Sequence, residues 1–265
     1  MIRPMKASER DDVLEQLYME PEINLYLIKE VESFDPDNVH QEIHVEVSQE
    51  QYEAVVSRNW SNLIYYAPTP HFNTDWLPVF RQFEFLFISA KTELIEKIHP
   101  HYPDMEEDRM DFMRSTLFTP DDGIDYSDIH VLESREEAAE VYDLLSTVEE
   151  LYTVHQKPKK EYIEFLHYHS NDNGTTVYVR QDGRVVATAS AVYETKKSAM
   201  IVGVATHGDY RKLGLGKKVM HYLMDLYINQ KKKTLCLYYD DPRAEKLYKK
   251  MGFIDTHKWS MLHTP

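Results

Sequence analysis

Apolar positions along the chain repeat most clearly in its second half. From Glu136 to Glu149, Ala139, Val141, Leu144, Leu145 and Val148 recur at helical spacing, so a helix with one apolar face is expected. Glu161 to His169 is a second, shorter helical stretch. Thr175–Arg180 and Arg184–Val192 are β-branched runs joined by Gln181-Asp182-Gly183, a hairpin signal because Asp-Gly tolerates the left-handed backbone of a tight turn. Ala199 to Thr206 reads as a third strand, and Lys217 to Asn229 as a helix with Val219, Leu223, Leu226 and Tyr227 on one side. Thr234 to Tyr239 is a fourth strand. Asp241-Pro242 then opens a helix that runs to Met251, since Asp can cap and Pro suits the first helical position. Gly252 stops it, and Phe253 to Leu262 is expected to close the sheet.

The first half is less regular. Helical stretches near 11–18 and 22–31 precede strands near 43–47, 54–56 and 63–66. Asp75–Gln82 then reads as helix, Phe83–Ser89 as extended chain and Lys91–Ile98 as helix. This helix-strand-helix order imitates residues 217–251 and points to an internal duplication.

Composition sharpens the division. Residues 1–126 carry 10 Lys/Arg against 26 Asp/Glu, a net of −16, whereas residues 127–265 carry 20 against 19. The first of eight glycines is Gly123. The turn-rich run Thr119-Pro120-Asp121-Asp122-Gly123-Ile124-Asp125-Tyr126 is the natural seam, giving domains of 1–120 and 128–265. An acidic first half repels nucleic acid, so no nucleic-acid partner is expected. No run of about 18 apolar residues is present, so no membrane span is expected. One cysteine, Cys236, and a charged N-terminus without a signal-peptide pattern suit the cytoplasm.

The chemistry concentrates in Val202-Gly203-Val204-Ala205-Thr206-His207-Gly208-Asp209-Tyr210-Arg211-Lys212-Leu213-Gly214-Leu215-Gly216-Lys217, which runs from strand through turn into helix. A helix start offers unpaired N–H groups and positive dipole charge, and glycines let a phosphate approach the backbone. A Walker loop would need Gly where Arg211 stands and Ser or Thr where Lys218 stands; a dinucleotide fingerprint would need Gly at Val219. Neither fits, and a plain glycine turn is the remaining alternative.

The stretch resembles the Arg/Gln-x-x-Gly-x-Gly/Ala motif of the GNAT superfamily of N-acetyltransferases. Ala244-Glu245-Lys246-Leu247-Tyr248-Lys249-Lys250-Met251-Gly252-Phe253 resembles its second signature, Ala-x-x-Leu-Tyr-x-x-x-Gly-Phe. The resemblance covers roughly residues 128–262. It implies an α+β fold of two GNAT-like domains, each a mixed, mainly antiparallel twisted sheet flanked by helices. It implies acetyl-CoA as cofactor, leaving as CoA, and an amine of a small molecule or peptide as acceptor.

Carried over residue by residue, the resemblance puts the pantetheine arm along Val204, Ala205 and Thr206. The pyrophosphate falls over Arg211, Lys212, Leu213, Gly214, Leu215, Gly216 and Lys217, and a thiolate-protonating acid falls at Tyr248. A core aromatic is the competing reading of Tyr248. Asp241 stands where the family often has Asn, which would remove an amide donor to the cofactor. No Asp or Glu occurs in residues 195–208 to deprotonate the acceptor, leaving Glu194, His207 or the carboxylate of Pro265. His99/His101 and His167/His169 do not share a helix face, so no metal is expected. Lys231–Lys233 are read as satisfying a helix C-terminus or approaching a cofactor phosphate, and Cys236 as a buried thiol. Residues 1–120, without glycine, resemble the degenerate first domain of tandem GNAT proteins, which would form a wall of the acceptor cleft or complete the second core. A catalytically silent CoA-binding or interaction module is the alternative function, and a homodimer is left open.

Overall fold

The computed structural model describes residues 1–148, 151, 154, 158–171 and 173–265. The chain gathers into two units, one of residues 1–113, 238–245 and 255–265, the other of 114–237 and 246–254. The chain thus leaves the first unit ahead of the 119–126 seam and returns to it twice.

The first unit begins with β1 (Ile2–Pro4), α1 (Arg10–Leu17) and α2 (Leu25–Glu32). Three antiparallel strands follow, β2 (Gln41–Ser48), β3 (Gln51–Asn59) and β4 (Asn62–Tyr66). Then come α3 (Trp76–Gln82), β5 (Phe87–Lys91), parallel to β4, α4 (Thr92–Ile98) and β6 (Glu106–Ser115). Leu25, Leu27, Ile28 and Val31 form the buried stripe of α2. Trp76, Phe80, Ile88, Leu94, Ile95 and Tyr65 are fully or almost fully buried in one core.

Among the described residues, the second half of the chain repeats that order, although its last strand and the start of its last helix return to the first unit. It runs β7 (Ile129–Val131), α5 (Arg135–Leu145), α6 (Lys159–Asn171), β8 (Thr175–Gln181), β9 (Arg184–Val192), β10 (Ser198–Thr206), α7 (Leu215–Met224), β11 (Thr234–Tyr239), α8 (Pro242–Lys250) and β12 (Ile254–His263). Strands β7 to β10 pair antiparallel in sequence, and β11 joins β10 in parallel. Helix α5 starts at a capping box: the Ser134 hydroxyl accepts from the Glu137 amide at 3.2 Å and the Glu137 carboxylate accepts from the Ser134 amide at 3.0 Å. Its expected end at Glu149 lies outside the described residues, the helix itself closing at Leu145. Asp182 (φ +52°) and Gly183 (φ +78°) make the β8–β9 turn left-handed, as Asp-Gly implied. The expected helix 217–229 is α-helical to Met224 and continues as a π-helical stretch over Asp225–Gln230.

Among the described residues the repeated order therefore extends over ten elements, well beyond the helix-strand-helix segment read from sequence. One expectation fails. Residues 253–262 do not close the second sheet; β12 lies between β5 and β6 and pairs antiparallel with β5, from Trp259 opposite Lys91 to His263 opposite Phe87. A strand's apolar alternation shows that it is buried, not which sheet takes it. Among the described residues, no helix is long and apolar enough to cross a membrane.

Candidate active site

The site is built on β10. A register shift between Val202 and Ala205 marks a bulge, where Gly203 takes φ +62°. The parallel pairing of β10 with β11 covers only Ser198–Met200 opposite Thr234–Cys236, and β10 runs six residues further. The two strands therefore part before Val204, Ala205 and Thr206, leaving Val204 and Thr206 half-buried while Ala205 packs into the core.

Beyond Thr206 the chain makes a short 3₁₀ turn, Gly208–Tyr210, and enters α7 through Lys212 at φ +66° and Gly214 at φ +80°. Buried Leu215 anchors the helix start, while Arg211 to Gly214 are exposed. The Leu213 amide closes the turn over Arg211 and Lys212. Among the described residues, the backbone amides of Lys212 and of Gly214 to Lys217 donate to no acceptor, and that of Lys218 bonds the Gly214 carbonyl at 2.9 Å. These five free donors around a helix N-terminus form an anion cradle. A Cβ on Gly216 would stand 3.1 Å from the Thr206 hydroxyl, so glycine is what lets helix and strand end approach. Arg211 Nε donates to the Thr206 carbonyl at 3.3 Å.

Several contacts at this cradle had no sequence signal. The Lys217 ammonium lies 2.9 Å from Asp121, and that of Lys218 lies 2.6 Å from Asp128. The Lys217 hydrogen bond, with the Gly123 amide, holds the Asp121 carboxyl below its usual range. The β8–β9 turn also reaches the loop, where Tyr210 OH donates to Asp182 at 2.6 Å. These partners are 28 to 96 residues apart in sequence, so no local pattern announces them.

Tyr248 lies on α8 with its ring 5.9 Å from that of Phe253. Its hydroxyl makes no hydrogen bond among the described residues, and burial pushes its phenol up to about 12. Asp241 caps α8 by accepting from the Arg243 amide at 2.7 Å and pairs with that guanidinium, also at 2.7 Å. It belongs to the first unit, whereas the cradle and Tyr248 belong to the second.

The three candidate bases fare differently. Glu194 precedes β10, at the opposite end from Thr206, and pairs with Lys231 at 2.8 Å and Lys233 at 2.5 Å. Against the desolvation that raises it, bonds from Lys231, Lys233 and Tyr227 hold its carboxyl below the ordinary range. Lys231 and Lys233 are thus counter-ions of Glu194, which corrects their reading as helix-end cations. Pro265 belongs to the first unit. His207 ends β10 and accepts from the Asp209 amide through Nδ1 at 3.3 Å. Cys236 is fully buried.

Residues 138–253 match the acetyltransferase (GNAT) family. Among solved structures, a Drosophila protein is similar over 100% of this chain and 98% of its own, at 12% identity and a TM-score of 0.70. A GCN5-related N-acetyltransferase from Sphaerobacter thermophilus is similar over 99% of this chain and 94% of its own, at 13% identity and a TM-score of 0.63. A tandem GNAT protein from the clavulanic acid biosynthesis pathway is similar over 99% and 97%, at 9% identity and a TM-score of 0.57. At these identities the likeness is one of fold. No curated protein matches the sequence.

Proposed function

We propose that this chain is an N-acyltransferase using acetyl-CoA and an amine acceptor, in line with the match of residues 138–253 to the GNAT acetyltransferase family. The observation that carries this reading is the set of five acceptor-free amides, those of Lys212 and Gly214–Lys217, at the end of a strand that has parted from its neighbour.

Those residues fit the cofactor. The amides, with Arg211, Lys212 and Lys217 around them, would hold the pyrophosphate, and the unpaired stretch of Val204, Ala205 and Thr206 would take the pantetheine arm. Gly214 and Gly216 keep side chains out of the cradle. Acetyl-CoA supplies an acyl group activated as a thioester. Tyr248 keeps its phenolic proton throughout the neutral range, as any phenol does, and burial raises its pKa further, to about 12. A group that stays protonated yet half-buried is suited to donate to a departing thiolate. With Glu194 held by two lysines, His207 is the base we favour for the acceptor ammonium, directly or through water.

The test is Tyr248→Phe. Turnover, read as thiol released in the presence of pooled amines, falls roughly tenfold to ten-thousandfold, the range for losing a general acid. The dissociation constant for CoA stays the same. Equal turnover by the variant would leave Tyr248 as a packing residue. A silent binding module is the second reading, favoured by the engagement of Asp241 with Arg243. CoA binding without thiol release on any amine would establish it.

A further inference from the structure

The cradle presents five amides that bond to nothing in their own loop, so contacts around it must hold that loop in shape. Lys212 makes the problem sharper, since a lysine at φ +66° sits in a region that side chains disfavour and surroundings must enforce. Asp121 and Asp128 hold Lys217 and Lys218 at the helix end of the cradle. Its entry turn has two further sets of contacts. One is local, from Arg211 Nε to the Thr206 carbonyl. The other comes from the tip of the β8–β9 hairpin.

There, Tyr210 OH donates to Asp182 Oδ2 at 2.6 Å. The Arg184 guanidinium lies over the Tyr210 ring, 5.1 Å from its centroid, and 3.6 Å from the Asp209 carboxylate. On its other side, Tyr210 meets the His207 ring edge-to-face with centroids 5.8 Å apart, and its amide donates to the His207 carbonyl at 2.9 Å. Every residue of the turn Gly208–Tyr210 that has a side chain is thus bonded either to the hairpin tip or to the end of β10. The hairpin supports this contact: β8 and β9 pair from Thr175 opposite Ala191 to Gln181 opposite Arg184, with a register shift between Val179 and Arg180, and Asp182 in their left-handed turn meets the loop at Tyr210.

We infer that Asp182, Arg184 and Tyr210 are positioning residues for the phosphate cradle, clasping its entry turn to the β8–β9 hairpin so that the free amides converge on one anion. This rests on the reading of Lys212–Lys217 as the CoA pyrophosphate site. None of the three residues touches the cofactor in this account. They act through the loop, so their loss weakens binding of acetyl-CoA and leaves the chemical step at saturation intact.

The experiment is a double-mutant cycle with Tyr210→Phe and Asp182→Gly in the full chain. Glycine keeps the left-handed turn while removing the acceptor, and phenylalanine keeps the ring under Arg184 while removing the donor. Each variant raises the KM for acetyl-CoA about three- to tenfold, with kcat unchanged. The double variant is no worse than either single one, because both break the same bond. A second measurement needs no cofactor: in the ligand-free protein, limited trypsin cleavage after Arg211 or Lys212 quickens several-fold in both variants at an unchanged melting temperature. If CoA does not bind the wild type but cleavage quickens, the clasp stands as a loop-holding device and the cofactor reading falls. Unchanged KM with unchanged cleavage overturns the clasp, as does a strictly additive cycle or a fall in kcat alone.

Discussion

Among the described residues, the two halves of the chain run the same ten elements in the same order, yet they treat the junction after the third antiparallel strand in opposite ways. In the second unit, β10 is bulged at Gly203, outruns its pairing with β11 by six residues and ends in a loop with five free amides. In the first unit, β4 pairs with β3 without a register shift and ends two residues after its pairing with β5. The loop that follows has no glycine, and its last residues engage the amides at the start of α3. The Trp76 amide donates to the Asn73 carbonyl, the Leu77 amide to the Thr74 carbonyl and the Asp75 amide to the Asn73 side chain. Where one unit holds a cradle, the other has an aromatic plug, with Tyr65 edge-on to Phe72, Trp76 and Phe80 at 5.6–5.8 Å. The strand tips are tied as well, since Tyr66 OH and the buried Lys91 ammonium both bond Glu20, at 2.8 and 2.7 Å. A shared topology therefore sets where an anion site can form, and the loop chemistry decides whether it does.

Substitution at the glycines tests that contrast most severely. Gly214→Val forces a β-branched residue to φ +80°, a conformation that costs roughly 1–2 kcal/mol for an L residue before any contact is lost. Relaxing that strain swings the free amides out of convergence, and hydrogen bonds to charged groups contribute about 1.5–3 kcal/mol each. The expected loss of CoA affinity is about a hundredfold or more, with the unliganded protein still folded by circular dichroism. Thr69→Val in the exposed counterpart loop should leave CoA binding alone and move stability by no more than about 0.5 kcal/mol. A wild-type dissociation constant in the Gly214 variant would place the anion site elsewhere.

The plug is tested by Trp76→Ala. The side chain is fully buried, stacks on Phe80 and donates from Nε1 to Glu46 at 2.8 Å. Removing it leaves a cavity and a Glu46 carboxylate held by Asn73 alone, so unfolding in denaturant should lose about 3–5 kcal/mol. A loss below about 1 kcal/mol would mean that the aromatic cluster is not what replaces the cradle.

How far the sequence foretold this contrast depends on the range of each signal. Helix and strand periodicity, the Asp-Gly turn and the glycines of the cradle are local features, and the elements they mark appear within a few residues of expectation. Three short or irregular strands, β1, β6 and β7, had no such pattern: β6 alternates charge with Met and Phe, and the other two are three residues long. The pairing of β12 with β5 was illegible because alternation encodes a face and not a partner. The free cradle amides followed from the motif, whereas Asp121, Asp128, Asp182 and Tyr210 reach the cradle only through the fold. Lys231 and Lys233 were misread for the same reason, since Glu194 lies 37 and 39 residues away.

The mildest effect is expected from Asp121, whose carboxylate occupies Lys217 at the mouth of the cradle. Both side chains are about half exposed, so the pair is weak and exchanges readily with water. An incoming phosphate competes with Asp121 for the same ammonium, and the acid acts as a small opposing charge. Asp121→Asn should therefore tighten CoA binding about two- to threefold in dilute buffer. The gain should vanish at high salt, because screening shortens the field from about 10 Å at 0.1 M to about 3 Å at 1 M. The pH sign follows from the same contact. Its carboxyl is held below the ordinary range, so Asp121 stays charged at neutral pH, and only strong acid releases Lys217 in the wild type. Wild type and variant should then converge as pH falls through that range. Weaker binding by Asp121→Asn would show instead that the acid holds Lys217 in place for the phosphate, and an unchanged constant would remove Lys217 from the site, leaving the amides and Arg211 to hold the anion.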